Sequence, residues 1–231
     1  YSLLGEAHIV TTLRPTRTNN EGSITMRRLN VGMIGGGGPE SFFGKAHRHA
    51  IHLDATRDVT AGALRSSPES SLEAAEQMGI QGYPDCQTMI NAYRDGLLEL
   101  DYVTIATPNF AHYNQAKACL EARLPVLCEK PMTMTVDEAE ELAELARRNE
   151  VPFILAHTYT GHPMMMFAKE LVRDGTIGNV RKIESWYRQG WMAQRTEDEG
   201  VKQAEWRVDP ERAGISGCGG DIGTHAFIAA S

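Results

Sequence analysis

The chain is 231 residues long with a formal net charge of −7, and 42% of it is hydrophobic, which suits one or two globular domains with a sizeable core. The acidic balance and the lack of a basic run exclude nucleic acid and an anionic membrane surface as partners. No window approaches the roughly 20 apolar residues of a membrane span. Cys86, Cys119, Cys128 and Cys218 form no C-x-x-C pair, so they read as free thiols in a reducing cytoplasm and not as a disulfide framework or zinc site.

Residues 1–25 differ from the remainder. They lack an initiating Met, carry the polar stretch TLRPTRTNNEGS and hold no apolar run long enough for a secretory signal. They are expected to be a disordered or non-native extension, with Met26 the natural start. At the far end the apolar run AFIAA leads into Ser231 with no helix-ending signal, which is the expectation for a C-terminally truncated chain.

Leu29 to Ile34 is an apolar strand that breaks into four glycines, Gly35 to Gly38. After Pro39, Glu40 and Ser41 the pattern turns helical through Phe42, Phe43, Ala46 and Ala50. A strand that ends in glycines and feeds a helix can hold a phosphate, because glycine permits close backbone approach and helix N–H groups face the anion. Gly35 and Gly37 fit the first two glycines of G-x-G-x-x-G and Gly44 the third, with six residues after Gly37 where the fingerprint has two. Asp58 to Leu64 is a second strand, and Ser67-Pro68-Glu69 opens a helix that Gly79 closes. Ile80 to Tyr83 reads as a short third strand, followed by a helix through Met89, Ile90 and Leu97. Tyr102 to Ala106 is a β-branched strand buried on both faces and ends in Thr107-Pro108-Asn109. A helix from about His112 to Ala122 leads to the strand Pro125 to Cys128, which ends in Glu129-Lys130-Pro131. Thr135 and Glu138 form a capping box, with Glu144 and Arg148 paired i,i+4 on the wet face of the helix, and Val151 to Ala156 is the next strand.

This alternation predicts a doubly wound parallel α/β sheet with helices on both faces. Ligands gather outside the carboxyl ends of such strands, so the glycine loop, Thr107-Pro108-Asn109 and Glu129-Lys130-Pro131 should converge on one crevice.

The segments VGMIGGG…GKAH, DYVTIATPNFAH, PVLCEKPMTMTVDEAEEL and GGDIGTHA, in that order across residues 31 to 226, resemble the Gfo/Idh/MocA family of glucose–fructose oxidoreductase and inositol dehydrogenase. The resemblance implies an N-terminal Rossmann domain, residues 26–156, and then the start of an α+β substrate domain with a mostly antiparallel sheet, residues 157–231. It also implies NAD or NADP as cofactor, a sugar, cyclitol or related polyol as substrate, and a homo-oligomer, dimer or tetramer. Carried over, Gly35, Gly37 and Gly44 match the dinucleotide loop. Thr107, Pro108, Asn109 and His112 match the loop along the cofactor, Lys130 the lysine near the nicotinamide, and Asp221 and His225 the aspartate and histidine of the substrate domain. The chain departs from the family by four extra residues in the glycine loop and by the segment His157 to Pro163, which points to a subgroup with its own substrate. The antiparallel sheet should follow residue 231.

The residues themselves allow the same chemistry. Hydride leaves a secondary alcohol as its O–H proton is removed, and a histidine suits that task because its pKa lies close to working pH. His225 and Asp221 are four apart and share a face in a helix. Asp221 can orient the imidazole or hold a hydroxyl. Lys130, at the carboxyl edge of the sheet, can stabilise developing alkoxide charge. Glu129 has two readings, a ribose hydroxyl partner or the partner of a nearby cation. An acid for the ribose 2′-hydroxyl is expected at the end of the second strand, where Arg65 and Ser66 stand instead, a pattern that leans to NADP. Tyr159 and Trp191 are candidate substrate contacts. Trp186, Tyr187, Trp191 and Trp206 suit sugar stacking or a core between domains equally, and Met164 to Met166 read as core or pocket lining. His47, His49 and His52 lack the partners of a metal site, so none is expected. Two other functions share these features: a glycoside hydrolase working through tightly held NAD, and a non-catalytic dinucleotide-binding protein.

Overall fold

The computed structural model describes residues 27–38 and 41–231, so the expected extension, Met26 and Pro39-Glu40 of the loop lie outside it. The elements run β1 (Leu29–Gly35), α1 (Phe42–His52), β2 (Arg57–Ala63), α2 (Pro68–Met78), β3 (Gln81–Gly82), α3 (Cys86–Arg94), β4 (Tyr102–Ala106), α4 (Asn109–Glu121), β5 (Val126–Glu129), α5 (Val136–Asn149) and β6 (Phe153–Ala156). All six strands are parallel and lie in the order β3-β2-β1-β4-β5-β6. That is the doubly wound order, and its direction reverses between β1 and β4, the place where such sheets open a ligand crevice.

Alternate strand residues feed two cores, because successive side chains point to opposite faces. Val31 and Met33 pack with Ile51 of α1 and Ala74 and Ala75 of α2. Ile34, Val103 and Ile105 pack with Ile90 of α3, Leu120 of α4 and Leu142 of α5. Helices therefore cover both faces, which is what lets parallel strands read as unbroken apolar runs. The predicted punctuation holds: Ser67 caps α2 through the Ser70 N–H, Gly79 ends that helix at φ 65°, and the Thr135–Glu138 capping box forms in full.

Several boundaries shift. Helix α3 stops at Arg94, short of Leu97, because Gly96 at φ 71° breaks the helical run. Helix α4 starts at Asn109, three residues early, directly behind Pro108, whose φ of −63° already suits a helix entry. Only Gln81 and Gly82 of the expected third strand pair with β2. Glu144 bonds Arg147 one turn on, not Arg148.

After β6 come a 3-10 turn over Thr158–Gly161, α6 (Pro163–Arg173) and an irregular stretch. The short helices α7 (Lys202–Glu205) and α8 (Pro210–Ala213) follow, then one wide π-type turn, Gly219–Gly223, continuing into α9 (Thr224–Ala230). No strand follows Ala156 among the described residues. Met164 and Met166 are 63% and 56% exposed and line neither cavity described below, contrary to their reading as core or pocket lining. Helix α6 buries none of its residues.

Candidate active site

The carboxyl ends of β1, β4 and β5 lie side by side, as the sheet order requires. Gly35 to Gly38 all take positive φ, between 61° and 98°, a conformation in which side chains are strained. Close approach adds to this. A Cβ on Gly35 would lie 2.4 Å from Thr107 Cγ2, and one on Gly44 would lie 2.1 Å from the Gly36 carbonyl oxygen. The bare Cα of Gly44 thus lets α1 pack on the loop despite the longer spacing. Beside this cradle a narrow crevice is lined by Ser41, Thr107, Pro108, Asn109, Glu129 and Lys130, with Trp206 and Arg207 closing it from the C-terminal half. A bare backbone turn at a helix entry, next to a crevice at the switch point, fits a dinucleotide.

Lys130 leaves the end of β5 and meets Asp221 in the π-type turn. Its Nζ donates to Asp221 Oδ1 at 2.6 Å and to the Asp221 carbonyl oxygen at 2.9 Å. Arg207 Nε donates to the other carboxylate oxygen, Oδ2, at 2.8 Å. The three side chains are only 10–14% exposed. Burial opposes ionisation of Asp221, but the hydrogen bonds and charges of Lys130 and Arg207 outweigh it and hold the carboxyl below its ordinary value. Both carboxylate oxygens are engaged by cations, so Asp221 anchors the lysine and does not orient His225. Arg207 also stacks on Trp206, 4.2 Å from ring centroid to guanidinium carbon.

His225, one turn beyond Asp221, lines a larger cavity of about 850 Å³ together with Phe43, Lys130, Tyr159, Tyr187 and Trp191. That volume is ample for a reacting ring and a small substrate. The imidazole meets the rings of Tyr159 and Tyr187 edge-on, at 4.9 and 5.8 Å between centroids, and the two phenol oxygens lie 2.5 Å apart. Its Nδ1 is buried with no hydrogen-bond partner, as is Nδ1 of His157. Burial, then the charges of Lys130 and His157, push the His225 pKa below the ordinary imidazole value. The ring is therefore neutral near neutral pH, the form a general base needs.

The remaining predicted residues divide. Thr107, Pro108 and Asn109 line the crevice. Arg65 and Ser66 are exposed at the end of β2, where Arg65 Nε donates to the Gly37 carbonyl at 2.7 Å. His112 does not reach the crevice. It is fully buried, with Nδ1 2.7 Å from the Pro131 carbonyl and Nε2 2.9 Å from the Thr107 carbonyl, so it ties the two strand-end turns together. Glu129 lines the crevice, and its Oε1 lies 2.9 Å from His47 Nε2. Arg207 escaped the sequence reading because the polar run around it looks like a solvated surface. Trp206 is buried beside the crevice, whereas Trp186 and Trp191 are exposed. No cluster of ligating side chains that could hold a metal occurs among the described residues.

Residues 29–157 match the GFO/IDH/MocA oxidoreductase family with its NAD-binding Rossmann fold, and residues 165–231 match the GFO/IDH/MocA C-terminal domain. An uncharacterised oxidoreductase, YfiI, of Bacillus subtilis is 34% identical over 88% of this chain and 53% of its own length. Levoglucosan dehydrogenase of Pseudarthrobacter phenanthrenivorans is 32% identical over 87% of this chain and 50% of its own. Among solved structures, an inositol dehydrogenase homolog complexed with NAD+ from Azotobacter vinelandii superposes with a TM-score of 0.81 at 33% identity, covering 93% of this chain and 54% of that one. The chain spans about half the length of the curated relatives it matches. No helix among the described residues is long and apolar enough to cross a membrane. The glycine cradle, the switch-point crevice and the lysine turn beside it are the structural expression of one lineage: this chain belongs to the Gfo/Idh/MocA family of NAD-binding oxidoreductases.

Proposed function

We propose that the full-length protein moves hydride between a nicotinamide and a secondary hydroxyl or ketone of a sugar, cyclitol or related polyol. One observation carries this reading: Lys130, Asp221 and His225, drawn from distant parts of the chain, meet on the wall of one cavity beside the glycine cradle. Nicotinamide, when bound, supplies the hydride acceptor or donor. Neutral His225 takes the hydroxyl proton at a ring nitrogen. The Lys130 ammonium donates to the same oxygen and stabilises its developing charge, held in place by Asp221. Tyr159 and Trp191 offer flat apolar faces to a ring of C–H groups. The names of two relatives, a levoglucosan dehydrogenase and an inositol dehydrogenase homolog, support a cyclic polyol as the substrate class.

The same proposal accepts either nicotinamide, with NADP slightly ahead. The end of β2 offers exposed Arg65 and Ser66 and no acid for a ribose 2′-hydroxyl. Free thiols at all four cysteines support a cytoplasmic setting.

The test is a screen of the full-length protein with both nicotinamides against levoglucosan, inositols and simple sugars, followed by absorbance of the reduced cofactor. Lys130→Ala and His225→Ala should each lower turnover by orders of magnitude while cofactor binding survives. Wild-type turnover in both variants overturns the assignment.

A further inference from the structure

His47 sits on α1 one turn beyond Gly44, the glycine that seats this helix on the phosphate loop. Its ring is held at both ends. Nδ1 lies 2.7 Å from Thr104 Oγ1 on β4, and Nε2 lies 2.9 Å from Glu129 Oε1 at the end of β5. Thr104 is fully buried, so its hydroxyl has no water to turn to. A carboxylate only accepts, which places the ring proton at Nε2. The second oxygen of Glu129 accepts the backbone N–H of Lys130 at 3.2 Å. The carboxylate therefore bridges an imidazole from the helix of the glycine loop and the peptide from which the lysine departs.

We propose that His47 is the positioning residue for Lys130, acting through Glu129 and tying the phosphate-loop helix to the reacting end of the site. This rests on the role given to Lys130 above. Burial disfavours the ionised form of Glu129, and the hydrogen bond and charge of His47 are the largest of the effects that offset it. Without the imidazole the carboxylate loses its side-chain partner, and the turn that aims Lys130 is released. Placement errors of this kind act on turnover more than on cofactor affinity.

Two variants separate positioning from packing. His47→Leu fills the space but cannot donate, whereas His47→Gln keeps an N–H near the position of Nε2. In the full-length protein, His47→Leu should lower kcat at least about tenfold with the cofactor Kd within about twofold, and His47→Gln should recover most of the loss. Equal kcat in the two variants, or wild-type kcat in His47→Leu, overturns the proposal. A second readout needs no turnover: nitrogen NMR of the wild-type imidazole should show His47 protonated at Nε2. A bare Nε2 overturns the contact itself, even if every polyol fails as a substrate and the oxidoreductase reading falls.

Discussion

The ammonium of Lys130 lies 2.6 Å from Asp221 Oδ1 and 2.9 Å from the carbonyl oxygen of the same residue, across 91 residues of sequence. One residue thus supplies both a charge and a backbone dipole to fix the lysine. Asp221→Asn keeps the backbone contact but leaves two nearly buried cations, Lys130 and Arg207, facing a neutral amide. It should lower kcat about a hundredfold and destabilise the fold by about 3 kcal/mol, as breaking a buried ion pair does. Urea unfolding of the variant beside wild type checks the second figure; an unchanged midpoint refutes it.

With His225 as the proposed base, the pH profile of activity should follow from its surroundings. Its pKa is depressed by burial and then by the charges of Lys130 and His157. Alcohol oxidation should therefore be flat above the ordinary imidazole pKa of about 6.5 and decline only at lower pH. His157→Asn removes one of the positive neighbours and should move the acidic limb upward. A limb at or above pH 7 in the wild type would exclude His225 as the base.

Stability should follow pH in a similar range through His112. Burial pushes the pKa of this imidazole below its ordinary value, against the opposing pull of the Pro131 and Thr107 carbonyls. Its folded-state pKa is depressed, so below about 6.5 the unfolded chain binds more protons and stability falls as pH falls. His112→Leu should cost about 1–3 kcal/mol through the lost tie between the turns, and should also flatten that slope. Urea midpoints on either side of pH 6.5, with and without the substitution, decide both points.

Two glycines give a paired test of the cradle. Gly79, at φ 65°, has open space where a Cβ would stand, so Gly79→Ala should cost only about 1 kcal/mol of backbone strain. Gly44→Ala would drive a methyl against the Gly36 carbonyl. It should weaken cofactor binding at least about tenfold as the loop shifts. Isothermal titration with the nicotinamides and thermal melting separate the outcomes; unchanged affinity in Gly44→Ala would remove α1 packing from cofactor recognition.

Arg65→Glu should weaken NADP much more than NAD, because the guanidinium beside Gly38 becomes a carboxylate opposed to a 2′-phosphate. Equal effects on the two dissociation constants would take Arg65 out of the cofactor site.

Much of this was legible because strands and caps are written locally. Four glycines after an apolar run, Ser67-Pro68 before a helix and Thr135 with Glu138 each name a backbone event within a few residues. The convergence of three strand ends follows from parallel pairing alone. Long-range polar partners leave no such local mark. Nothing near Arg207 announces that it closes on Asp221, and the run of three histidines that holds His47 shows only that no metal ligand set is complete, not that His47 meets Glu129. His112 was assigned to the cofactor loop by its place in a motif, yet burial turns both its nitrogens toward backbone carbonyls. The Asp221–His225 spacing suggested mutual orientation, but the wide turn at Gly219–Gly223 delivers the carboxylate to the two cations instead.

The carboxylate of Asp221 also limits how far this chain can be treated as modular. A chimaera that keeps the segment up to Ala156 and imports a C-terminal part from a distant relative inherits the sheet and the cradle intact. It inherits an aimed lysine only if the import returns an acid where Asp221 stands. Recombination between relatives is thus bounded by this acid and by the Arg207 that holds its second oxygen.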